Sequence, residues 1–264
     1  MPKNSVEGYK LLESGGEMSM RVGYGEGWHF GAVADFDKEM KPFGERIGKG
    51  SDKLWVTSVA PTAVDGASTR ACTNQKRLTP FGIIDSWWPV GQCHTDTEFR
   101  GAAGRGAPIE ASYFRDWLWA MGQNGVRLAN THTAGDRSVA NILSLMEQLK
   151  KEYGPQATKG WAMDHSVLVN PSDFERAARL GVTFSCAPKY IEDVAPEAAE
   201  SYGEKIAHTF VVPVKSMLDA GVRVVYEADR DIYEWKDIEL LMTRKDRQGK
   251  VWGPQERLDR TTAC

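Results

Sequence analysis

The sequence predicts an α/β fold in which parallel strands alternate with helical crossovers. Two observations carry that prediction. Short runs that are apolar on both faces recur along the chain, as in strands covered by helices on either side. Between them stand phrases in which a helix, a glycine and a strand follow one another, RLGVTF at Gly181 and DAGVRVV at Gly221. The runs are Met18 to Gly23, Leu54 to Val59, Val126 to His132, Gly160 to Val167, Val182 to Cys186 and Val222 to Ala228. The helices follow from periodicity. Residues 136–153 place Val139, Ile142, Leu143, Met146 and Leu149 on one stripe before Gly154-Pro155 stops them. Pro171 to Leu180 repeats the spacing through Phe174, Ala177, Ala178 and Leu180, and Val214 to Ala220 ends at Gly221. Repeated helix-to-strand units require a parallel sheet with crossovers.

One stretch breaks the rhythm. Residues 60–111 are rich in Gly, Ala, Thr and Trp and lack periodicity, so we expect an ordered insertion over one end of a single domain spanning residues 1–264. The acidic stretch from Ile191 to Glu204 reads as a solvated surface loop.

Bulk properties exclude several function classes. A net charge of -3 gives no footprint for nucleic acid or an acidic membrane surface. No apolar run approaches the roughly 20 residues that span a bilayer. The opening MPKNSVEGYK has no apolar segment behind its lysine and is no secretory signal, so the default location is the cytoplasm. Cys72, Cys93, Cys186 and Cys264 form no CxxC pair and are read as isolated, inert residues.

Three ionisable residues close successive runs. His132 ends VRLANTH, His165 lies near the end of WAMDHSV, and Asp229 follows RVVYEA. In a parallel barrel the strand C-termini share one face, where their side chains converge. A single histidine at a strand end is more often a hydrogen-bonded structural residue. Recurrence at three strand ends is what points to a metal, because two imidazoles and a carboxylate suit a divalent ion such as zinc. Such an ion acidifies water and polarises a carbonyl, and a neighbouring carboxylate takes the proton.

These segments carry a resemblance. THTAGDRSVANILSLMEQ, WAMDHSVLVNPSDFERAARLGVTFSCAP and KSMLDAGVRVVYEADR resemble, in order, segments of the metal-dependent amidohydrolase superfamily, in the subgroup that includes N-substituted formamide deformylase. SMRVGYG and AVDGAST are similar to its middle region. The resemblance implies a (β/α)8 TIM-barrel hydrolase acting on amide or related C–N bonds. His132 and His165 would be metal ligands after the fifth and sixth strands. Asp229 would be the ligand after the eighth and the catalytic proton shuttle. Asp136 and Arg137 would support the site from above His132, and Asp136 is a candidate substrate contact.

The chain departs from that pattern twice. Family members carry an HxH pair after the first strand, and none of the five histidines here stands two residues from another. The matched region starts near the family's third strand, so we expect an incomplete barrel with about six of eight strands. Relatives also place a carboxylated lysine four residues before Asp-Gly, where this chain has Pro61 before Asp65-Gly66; Lys53 sits at the wrong end of the strand. The expected site is therefore mononuclear, with zinc as its ion.

Other residues complete the set of candidates. Trp87-Trp88 in the insertion are expected to line a pocket for an apolar or aromatic substrate, and His29, after the first run, to contact it. Trp117 and Trp119 read as core, His94 as surface and His208 as structural. Gly23, Gly25 and Gly27 form no phosphate fingerprint, because no helix start follows them. The expected partner is a small-molecule substrate, with no nucleic acid and no membrane, and open sheet edges favour self-association. Two alternatives stay open: a non-catalytic truncated barrel or subunit, and a Trp-rich ligand-binding module.

Overall fold

The computed structural model describes residues 3–27, 35–60, 64–65, 71–79, 101–103, 107–109, 113–129, 131–229 and 234–263. In chain order these form α1 (Lys3–Ser14), β1 (Val22–Gly27), α2 (Phe36–Arg46), β2 (Leu54–Ala60), β3 (Gly101–Ala103), β4 (Ala107–Ile109), α3 (Tyr113–Gln123) and β5 (His132–Thr133). Then follow α4 (Asp136–Tyr153), β6 (Ala162–His165), α5 (Phe174–Leu180), β7 (Thr183–Cys186), α6 (Lys189–Asp193) and α7 (Ala195–Tyr202). The last elements are α8 (Glu204–Phe210), α9 (Val214–Asp219), β8 (Arg223–Tyr226), α10 (Glu234–Thr243) and α11 (Arg260–Ala263).

The main strands pair in chain order and in parallel. β1 pairs with β2, and β5, β6, β7 and β8 form a second ladder. The two ladders meet just before β5. Val59 donates to the Arg127 carbonyl at 2.8 Å and Ala129 donates back to Val59, while Ala162 of β6 donates to Leu128 at 2.8 Å. The short hairpin β3–β4 is antiparallel and falls in the stretch expected as an insertion. The rest of that stretch lies mostly outside the described residues.

Strand positions follow the apolar runs, with one offset. β1 begins four residues later than the first run suggests and continues through the glycines. Glycine is required there by contact: a Cβ on Gly23 would stand 2.4 Å from the Thr57 methyl of the neighbouring strand. The predicted stripe of α4 is buried throughout, in one core cluster with Trp117, Leu118 and Met121 of α3, with Trp161 just before β6, and with Met163 and Phe184 of the sheet. Trp161 satisfies its indole N–H on the Val126 carbonyl at 3.0 Å.

Three expectations need correction. Residues 191–204 are helical, not a surface loop. Ile191, Val194, Ala195 and Ala198 recur at helical spacing and are buried, while Glu197 and Glu200 are exposed and the Glu192 side chain is held in ion pairs with Lys236 and Arg247. β8 is not covered on both faces, since Val225 and Tyr226 are 44% and 47% exposed. Cys72 is disulfide-bonded rather than isolated, whereas Cys186 is free and buried. Among the described residues no helix is long and apolar enough to cross a membrane.

Candidate metal centre

The site is assembled at the C-terminal ends of β5, β6 and β8, as parallel packing dictates. His165, the last residue of β6, is buried, and its backbone is left-handed at φ 69°, as is that of Ser166 at φ 45°. For residues with a Cβ that conformation costs about 1–2 kcal/mol each, so something must hold it. Glu227, one residue beyond β8, does: one carboxylate oxygen accepts from the His165 backbone N–H at 2.8 Å, and the other contacts Nδ1 at 2.5 Å. The opposite ring nitrogen, Nε2, is buried and has no hydrogen-bond partner among the described residues. Burial pulls the imidazolium pKa down, but the Glu227 contact and the charges of Glu227, Asp229 and Asp164 outweigh burial and raise it.

His132, on β5, is exposed, and its ring meets that of His165 edge-on with centroids 4.0 Å apart. Its main chain is fixed from below. Val64 N–H donates to the His132 carbonyl at 3.0 Å. The fully buried Asp65 carboxylate accepts from the N–H groups of Cys72 (2.8 Å), Ala134 (2.6 Å) and Gly135 (2.9 Å) and from the Ser138 hydroxyl (2.7 Å). It thereby caps the start of α4, whose own N-cap residue, Gly135, has no side chain to do so. Gly135 is glycine because a Cβ there would lie 2.0 Å from the Cys72 carbonyl oxygen. Burial pushes the Asp65 carboxyl up to about 6, against the pull of its four donors.

Asp229, three residues past β8, is partly exposed. One of its oxygens, Oδ2, accepts from both the Lys189 ammonium and the Tyr190 hydroxyl, the latter at 3.0 Å. Burial raises its pKa, but Lys189, the charge of His165 and Tyr190 outweigh that and hold it below the usual carboxylate value. The Tyr190 ring also stands edge-on to His165, with centroids 5.7 Å apart. A cavity of about 170 Å³ opens beside this end of the site, walled by Lys189, Glu227, Asp229, Lys236 and Asp237.

His132, His165 and Asp229 thus come to one end of the sheet. Donor atoms of His165, Glu227 and Asp229 all lie within 4.8 Å of one another, a grouping able to hold a metal ion. The sequence pattern alone does not single out Glu227. Its signal is alternation: two residues before Asp229 along an extended chain, it faces the same side. Lys189 and Tyr190, which follow the β7 strand end, are likewise unmarked by any sequence pattern. Asp136 is buried at the head of α4, where its carboxylate accepts from the Asn74 N–H and the Gln75 amide. It braces the 71–79 segment. His208 accepts from the Gly253 N–H through Nδ1 at 2.8 Å, a structural contact. Lys53 bonds the Met18 carbonyl at the start of β2, far along the strand from this face. Trp87, Trp88, His29, His94 and Pro61 lie outside the described residues.

The chain is similar to the N-substituted formamide deformylase of Arthrobacter pascens, with 26% identity over 139 residues, covering 53% of this chain and 25% of that protein. Its fold is similar to crystal structures of uncharacterised metal-dependent hydrolases from Pyrococcus horikoshii OT3 and Pyrococcus furiosus, with TM-scores of 0.66 and 0.64 at 18% identity. Each of those alignments covers 99% of this chain and 47% of the other. The chain therefore spans about half the length of those hydrolases and a quarter of the deformylase. The amidohydrolase family model matches residues 102–264, which include every strand end of the site, and the chain belongs to the amidohydrolase family.

Proposed function

We propose that this chain is the metal-binding part of a hydrolase that cleaves amide-type C–N bonds in small molecules, in a barrel of which it supplies about six of eight strands. His132, His165 and Asp229 are assigned as ligands of one divalent ion, zinc by the chemistry of the donor set. The observation that carries this reading is the buried Nε2 of His165, without a hydrogen-bond partner among the described residues, on a ring that meets a second imidazole and has a nitrogen within 4.8 Å of an Asp229 carboxylate oxygen. A polar atom buried without a partner costs about 1–3 kcal/mol, and a metal ion removes that cost. When bound, such an ion supplies positive charge that polarises a carbonyl and makes water more acidic.

The chain's own residues supply the rest. Asp229 is depressed in pKa and stays an acceptor at neutral pH, so it can take the proton of the attacking water and pass it to the leaving nitrogen. The Tyr190 hydroxyl and Lys189 ammonium orient that carboxylate. The adjoining cavity offers room for a small substrate whose amide approaches from the Asp229 side. N-substituted formamides, the substrates in the name of the Arthrobacter relative, are the first class to try.

The test is zinc titration by calorimetry and hydrolysis of an N-alkylformamide and acetamide panel by the full-length protein. We expect about one zinc per chain. His165→Ala and Asp229→Asn should each cut turnover at least about 10³-fold, the scale on which removal of a proton-transfer or activating group is felt. Wild-type protein that takes up no zinc, or variants that turn over like wild type, would remove the assignment.

A further inference from the structure

Glu227 has both carboxylate oxygens on one residue, and that residue is His165. One oxygen receives the backbone N–H at 2.8 Å and the other meets Nδ1 at 2.5 Å. Glu227 is in turn fixed by the sheet, since its own N–H donates to the Cys186 carbonyl at 3.0 Å and so continues the β7–β8 ladder one residue past the strand. The carboxylate is mostly shielded, with a side chain 13% exposed against 6% for His165. A cluster of three donor residues invites the reading that Glu227 is itself a metal ligand. The geometry argues otherwise. An oxygen engaged with Nδ1 and another engaged with a main-chain N–H leave the carboxylate directed at His165, while the nitrogen without a partner is Nε2, on the far side of the ring.

We propose that Glu227 is a positioning residue. It fixes His165 as the Nδ1–H tautomer, so that the Nε2 lone pair is the metal-binding atom, and it holds the left-handed backbone at His165 in place. The proposal rests on the metal-site reading above and adds the atom that binds and the group that decides which atom it is. Two physical arguments support it. A neutral imidazole has one donor and one acceptor nitrogen, and a carboxylate on Nδ1 makes Nδ1 the donor. The same contact raises the basicity of the opposite nitrogen, as in carboxylate–histidine–metal arrangements generally. The φ of 69° would relax without the bond to the main-chain N–H, and the ring would swing with it.

The experiment has two arms that fail separately. The first uses metal-free full-length protein labelled with ¹⁵N on histidine, observed above pH 8 by long-range ¹H–¹⁵N correlation, with His165 assigned by its absence in His165→Gln. Wild type should show protonated Nδ1 and unprotonated Nε2. Glu227→Gln, of the same shape, should lose that preference, since its amide can donate to Nδ1 as readily as accept. A wild-type His165 in the Nε2–H form overturns the proposal, and that outcome is read on the wild-type protein without any substitution at Glu227. The second arm is zinc affinity. Glu227→Gln should weaken it by about 10- to 100-fold, the usual effect of losing a carboxylate behind a ligating histidine, with the zinc count unchanged at about one. Loss of stoichiometry instead of affinity would show that Glu227 is a ligand and overturn the positioning role. If wild type binds no zinc while His165 is held as Nδ1–H, the metal-site reading falls and the tautomer assignment stands.

Discussion

His132 and Asp229 reach the same site from supports of opposite kind. Beneath His132 lies a closed, neutralised network: the buried Asp65 takes four hydrogen bonds from three segments, and Gly135 allows the 72 backbone to press against the start of α4. Around Asp229 the contacts are side chain to side chain, from Lys189 and Tyr190, at an end of the sheet where β8 is exposed. The first support is made of main chain and belongs to folding. The second is made of charge and can reorganise when a substrate or ion arrives. In the proposed hydrolytic role the two supports would divide the work, His132 staying fixed while the Asp229 carboxylate exchanges partners.

The largest effect that would test this contrast is at Asp65. Asp65→Ala strands three N–H groups and a hydroxyl in the core, each costing about 1–3 kcal/mol when unpaired. We expect a loss of at least about 4 kcal/mol in urea unfolding, and failure to fold if the parent stability is at the usual 5–15 kcal/mol. A loss under 1 kcal/mol would show that the His132 support is not structural.

Next in size is the pH response of the same residue. Its folded-state pKa is raised from 3.8 to about 6, so the folded protein holds this proton more tightly than the unfolded chain does. The stability it contributes is full below about pH 4 and is lost as pH rises through about 6, a span worth about 3 kcal/mol. Wild-type unfolding free energy should carry this falling component between pH 4 and 6, and Asp65→Asn should lack it. Parallel pH profiles for the two proteins would contradict it.

The contrast also explains what was legible in the sequence. His132, His165 and Asp229 each close an apolar run, and a strand end in a parallel sheet has a known direction, so sequence order alone brought them together. α4 was legible because its five-residue stripe is wholly apolar. α6 and α7 were not, because their short stripe of Ile191, Val194, Ala195 and Ala198 is interleaved with carboxylates that dominate the composition. Glu227 was hidden for a related reason: an acidic residue beside a strand ordinarily reads as its solvent side, and only the bond to His165 reveals the opposite. Asp65 was visible as part of an Asp-Gly turn, but its four donors come from residues 72 to 138, contacts that no local pattern encodes.

The smallest expected effect completes the comparison. Lys189→Met removes the ammonium from Asp229 but leaves the Tyr190 hydroxyl on the same oxygen. The pair is partly open to water, with side chains 18% and 31% exposed. Ion pairs in that setting contribute about 0–1 kcal/mol, because solvent screens the attraction and two side chains lose freedom to make it. Unfolding free energy should therefore change by less than about 1 kcal/mol, in contrast to the Asp65 variant. Activity should change more than stability does, because the carboxylate loses the cation that orients it and lowers its pKa. With Asp229 less acidic, the acid limb of the kcat/KM profile should move to higher pH. A variant that loses several kcal/mol with an unmoved acid limb would place Lys189 in the structural class of Asp65, and the division between a main-chain support and a charge-built one would not hold.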